Sequence, residues 1–123
     1  MEVTGLSWVG TRTERFDEMT RFFGEVMGID RDDEQPGFVS FKTPRGNKVE
    51  VFATDEPDHD FMTTGSAVGF AVTDIDEARS ELEAAGIEFM APTQSEGEFR
   101  WAHFRAPDGN IYEITSSQLP PKP

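Results

Sequence analysis

Apolar residues follow two periods along the chain, and the switches between them mark out its elements. Val3 to Arg12, just before the first helical stretch, reads as a strand. Phe16, Met19, Phe22, Phe23 and Val26 then recur at helical spacing, with Gly28 beyond the end as a stop. Two aromatic and β-branched runs follow, Phe38 to Lys42 and Val49 to Phe52, as strands of a half-buried sheet. The order then repeats. Ala67 to Thr73 reads as a strand, and Ile75, Ala78, Leu82 and Ala85 form a helical stripe stopped by Gly86. Trp101 to Arg105 and Ile111 to Thr115 read as a closing strand pair. A weaker strand is expected in each half, near Arg31 to Glu34 and near Glu88 to Met90. Acids stand in the first turn of both helices, Asp17-Glu18 and Asp76-Glu77, where they suit the helix dipole.

Superposing the halves strengthens this pattern. Phe41-Lys42-Thr43-Pro44-Arg45-Gly46-Asn47-Lys48-Val49-Glu50 shares Phe, a basic residue, Pro, Gly, Asn and Glu, at identical spacing, with Phe104-Arg105-Ala106-Pro107-Asp108-Gly109-Asn110-Ile111-Tyr112-Glu113. Pro presets one turn dihedral, and Gly and Asn tolerate positive φ, so each copy predicts a tight hairpin. The expected organisation is one domain over 1–123. It comprises a βαβββ unit over about 3–54, a polar linker 55–65, a second βαβββ unit over about 66–116, and an extended tail 117–123. The fold class is α+β, with two tandem βαβββ units forming curved mixed sheets around a cleft and the helices on the outer face.

The paired units, with Pro107-Asp108-Gly109-Asn110 and Glu113 closing the second, resemble the vicinal oxygen chelate superfamily. That group includes glyoxalase I, extradiol dioxygenases, methylmalonyl-coenzyme A epimerase and the bleomycin-resistance proteins. The resemblance runs from about Leu6 to Thr115. It implies a cleft in which glyoxalase-like members hold a divalent metal, with ligands on the first and last strand of each unit. The last-strand positions fall on Glu50 and Glu113. The first-strand positions, usually His, fall on Trp8 and Ala67, neither of which can bind a metal. Two carboxylates alone offer a divalent metal a weak, hard-cation site, so no cofactor is expected. The resemblance also implies a homodimer.

Histidine supplies little else. His59 lies in the polar linker and reads as a solvated surface residue. His103 lies on the strand paired with that of Glu113, and a one-residue change in register decides whether it faces the cleft. For Glu50 and Glu113 two readings stand side by side: surface carboxylates paired with Arg12, Lys42 or Arg105, or groups that touch a ligand. For Trp8 and Trp101 the alternatives are core packing and a flat wall for a conjugated or cationic ligand.

Composition narrows the function classes. The chain has no cysteine, which removes disulfides, thiolate metal sites and a cysteine nucleophile. A net charge of −13 repels nucleic acid and anionic membrane while attracting cations, although acidity also serves solubility. No signal peptide or membrane span is evident, so a cytoplasmic protein is expected. No nucleophile elbow, phosphate-binding glycine pattern or zinc-protease motif occurs. The favoured reading is non-catalytic binding of a small cationic or aromatic compound in a cleft involving Trp8, Ala67, Trp101 and His103. The alternative is a lyase, isomerase or dioxygenase-like enzyme working through Glu50 and Glu113.

Overall fold

The two repeats meet through their first strands. In the computed structural model, which describes residues 1–116, β1 (Val3–Thr13) pairs antiparallel with β5 (Ala67–Val72). Each first strand carries the last strand of its own unit in parallel: β4 (Lys48–Ala53) beside β1, and β9 (Ile111–Ser116) beside β5. The sheet continues outward through β3 (Phe38–Lys42) to β2 (Asp30–Gln35) on one side. On the other it continues through β8 (Phe99–Arg105), whose outer edge is shared by β6 (Glu88–Phe89) and β7 (Gln94–Glu96). The result is one nine-stranded mixed sheet. The second unit thus carries a strand, β7, that the polar triplet Gln94-Ser95-Glu96 did not announce.

Both copies of the repeated motif form the same turn. Gly46 and Gly109 each take φ of 89°, and each donates its N–H to the residue three back, Thr43 or Ala106. Thr43 and Ala106 in turn donate to Asn47 and Asn110. Only the glycines use positive φ; the asparagines instead contribute hydrogen bonds, Asn47 to the Leu6 carbonyl and Asn110 to Asp108.

The helices cover one face of the sheet. α2 (Ile75–Ala84) is capped by the Asp74 side chain, which accepts from the Glu77 N–H. It packs Ile75 and Ala78 against Val72, Ala102, Phe104 and Ile114. α1 (Phe16–Arg21) packs Phe16 and Met19 over Val39, Phe41 and Val51, joined by Phe23. After Arg21 the helix widens into a π-turn, Phe22–Val26, with the Met27 N–H reaching the Phe22 carbonyl. That wider turn breaks the expected stripe. Phe23 stays inward, whereas Phe22 and Val26 are exposed. The proposed linker also contributes to the core: it contains a 3-10 turn, Pro57–His59, and buries Met62. The expected tail 117–123 lies outside the described residues. Among the described residues no helix is long and apolar enough to cross a membrane.

Alternation along the strands sends a second set of residues to the face away from the helices, where Trp8, Phe52, Met62, Ala67 and Ile111 form a third cluster. Fully buried Phe41 and exposed Phe22 provide a contrast within one region. Phe41→Ala is expected to lower the unfolding free energy by about 3–5 kcal/mol, and Phe22→Ala by no more than about 0.5 kcal/mol, measured by urea denaturation.

Candidate functional site

A cavity of about 390 Å³ opens on the helix-free face, lined by residues of both units and of the segment between them. Its volume lies within the range of small-molecule sites, roughly 300–1,000 Å³. A second, more open hollow of about 430 Å³ lies beside α1, lined by residues such as Arg15, Glu18 and Phe22. It holds no pair of carboxylates and no histidine, so the chemistry belongs to the cavity between the units.

Strand register sets the floor. Glu50 stands opposite Gly10 of β1, and Glu113 stands opposite Gly69 of β5. These glycines leave room that side chains then fill. The Trp8 ring lies across Gly10, so close that a Cβ there would come within 2.2 Å of it. Crossing the glycine brings the indole N–H to Glu50, to which it donates at 2.7 Å. At Gly69 a Cβ would meet Trp8, Glu113 and Ser7 at 3.0–3.3 Å, so the absent side chain allows those three to converge.

His103 pairs directly with Glu113 across the β8–β9 ladder, which places both on the cavity face. It is 9% exposed, and its ring meets Trp8 and Phe61 edge-on, with centroids at 5.6 and 5.2 Å. Nε2 lies 2.8 Å from Glu113 Oε2, yet the ring is turned so that Nε2 has no hydrogen-bond partner in good alignment. Glu113 itself is 4% exposed. Burial raises its pKa above the usual carboxyl value; His103 opposes that shift, and the nearby charge of Glu50 adds to it.

Aromatic rings form the walls. Phe38, Phe52 and His59 stack in sequence, with centroids 5.4 and then 3.8 Å apart. Phe99 and Trp101 of β8 stack at 5.6 Å. The 3-10 turn holds His59 in place, where its Nδ1 meets the Glu56 carboxylate at 2.8 Å. Glu56, Asp58 and Glu96 bring further negative charge to the cavity lining, against a single lysine, Lys48, among the described residues.

Of the residues singled out in the sequence, Trp8, Glu50, Trp101, His103 and Glu113 all line this cavity. Ala67 does not; it is buried with Trp8, Phe52 and Met62. His59 is no bare surface residue, because stacking on Phe52 makes it part of the wall. Phe52 and Phe99 were accessible to period-two reasoning, since they stand two residues from Glu50 and Trp101 on the same strands. Glu56, Asp58 and His59 carry no such signal, because irregular backbone places them.

The sequence model of the Glyoxalase/Bleomycin resistance protein/Dioxygenase superfamily matches residues 5–114. The chain belongs to this superfamily. No curated protein matches it. Among solved structures, the Mn(II)-bound glyoxalase from Novosphingobium aromaticivorans is similar at 24% identity with a TM-score of 0.72, over 93% of this chain and 39% of that one. A glyoxalase/bleomycin resistance protein/dioxygenase superfamily member from Vibrio splendidus 12B01 aligns at 18% identity and TM-score 0.66, over 91% and 99% of the two chains. Methylmalonyl-CoA epimerase from Mycobacterium tuberculosis aligns at 16% and 0.66, over 98% and 90%. These likenesses establish the fold.

A metal of the kind some superfamily members hold does not fit the residues present. Trp8 directs an N–H donor into the site and uses it on Glu50, while Ala67 has no donor atom. Among the described residues no three His, Cys, Asp or Glu side chains gather closely enough to hold an ion.

Buried Glu113 yields a prediction with a definite sign. Its folded pKa is raised, so its ionisation favours the unfolded chain as pH climbs above the ordinary carboxyl value of 4.5. Glu113→Gln resembles the protonated form at every pH. Its thermal midpoint is expected to match the parent's in acid below that value and to exceed it by a growing margin toward neutral pH, as followed by thermal unfolding across a pH series.

Proposed function

We propose that this superfamily member binds a small planar aromatic cation in the cleft between its two units, without turning it over. One observation carries the reading: stacked aromatic walls enclose a cavity whose lining, among the described residues, includes Glu50, Glu56, Asp58, Glu96 and Glu113 but only one lysine. Flat rings on either side offer dispersion and cation–π contacts, and the surplus negative charge favours a positively charged guest. The occupied indole N–H of Trp8 and the lack of a ligand set for a transition metal support binding over metal-assisted chemistry.

A second reading has a specific observation in its favour. A buried carboxyl in contact with an imidazole, Glu113 with His103, lines the same cavity and is the arrangement a general acid–base enzyme requires. Lyase or isomerase chemistry at a carbon beside a carbonyl would use it. A substrate turned over by the parent and equally by Glu50→Gln and Glu113→Gln would remove the carboxylates from any mechanism.

Thermal-shift and calorimetric binding across a panel of planar aromatic cations, neutral compounds and anions of equal size tests the binding proposal. Cations are expected to raise the thermal midpoint and anions to leave it unchanged. A panel without a single shift would end the proposal.

A further inference from the structure

The sequence repeat makes Glu50 and Glu113 look equivalent, but their surroundings are not. Glu113 is sealed, 4% exposed, with His103 against one oxygen. Glu50 remains partly open to the cavity, and the Trp8 indole holds one of its oxygens at 2.7 Å. Nor do the described residues supply Glu50 with a counter-ion. Lys48 lines the same cavity but is drawn to Asp32 at 3.4 Å, and no ion pair among the described residues includes Glu50.

We infer that Glu50, oriented by Trp8, is the main element that reads the ligand's positive charge, and that the ligand is an aromatic cation whose charge sits on or beside its ring. This inference rests on the cleft being a ligand-binding site. The geometry explains the charge placement. Trp8 supplies both a flat face and the N–H that fixes the carboxylate, so the ring and the charge of the guest must lie close together. A fixed carboxylate interacts more strongly with a cation than the exposed acids of the cavity lining, Asp58 and Glu96, because less orientational freedom is lost on binding, while Glu56 is already taken up by His59. Trp8 thus acts as a positioning residue for Glu50 as well as a wall of the site.

The test compares 1-methylquinolinium with quinoline, the same ring system with and without a charge at neutral pH, by calorimetry. The parent is expected to favour the cation by about tenfold or more. Glu50→Gln should bring that preference close to parity while leaving quinoline affinity within about twofold. Trp8→Phe keeps a ring but removes the N–H, so it should lower the preference partway, a change a purely structural role would not produce. Glu113→Gln should cause a smaller loss than Glu50→Gln. Far-ultraviolet circular dichroism and the thermal midpoint of each variant separate misfolding from lost recognition. A parent that binds neither probe would overturn the cleft reading and this inference together. A parent that prefers the cation, with Glu50→Gln retaining that preference or Glu113→Gln abolishing it, would overturn this inference alone.

Discussion

Everything in the cleft depends on the antiparallel pairing of β1 with β5. Each repeat alone would present a four- or five-stranded sheet with a helix on one face and nothing to close the other. Joining first strand to first strand sets the two last strands on either side of the seam, so Glu50 and Glu113 approach one another from opposite units. The pairing tolerates this crowding because Gly10 and Gly69 leave out the side chains that would otherwise fill the junction. A ladder irregularity between Leu6 and Trp8 further lets Ser7 as well as Trp8 line the cavity.

The repeated hairpins made the fold legible from sequence. Pro44 and Pro107, each two residues before a glycine with φ of 89°, fix the turn that sets the register of β3–β4 and β8–β9. Once register is fixed, period two assigns the faces, which is why Trp8, Trp101 and the two glutamates were found together. His103 stands two residues from Trp101 on β8, so the same period places it on that face, opposite Glu113. Three features left no pattern at all. β7 is a polar triplet recruited by pairing with β8, the π-turn after α1 inserts an irregularity into a regular stripe, and His59 reaches the cavity from a segment whose composition resembles solvent-exposed linker.

The repeat also shows how a scaffold changes chemistry without changing shape. Tryptophan at position 8 is a bulky side chain, and the bare backbone of Gly10 makes room for its ring within the cluster it forms with Phe52, Met62, Ala67 and Ile111. The carboxylate it meets, on β4, takes an indole N–H as its partner. A twofold-related pair of acids thereby becomes two unlike groups, one open and hydrogen-bonded and one buried beside an imidazole.

The open sheet has a consequence of its own. Its strand order ends at β2, where Asp30, Asp32, Asp33 and Glu34 occupy a fully exposed edge, and at the opposite end in two very short strands. An unpaired backbone edge is a template on which a foreign strand can grow, the first step toward fibrils. Packed negative charge makes that edge repel a second copy of itself, and two- and three-residue strands give an incoming chain little to grip. The acidity of the chain thus guards the rim of the sheet against self-templating.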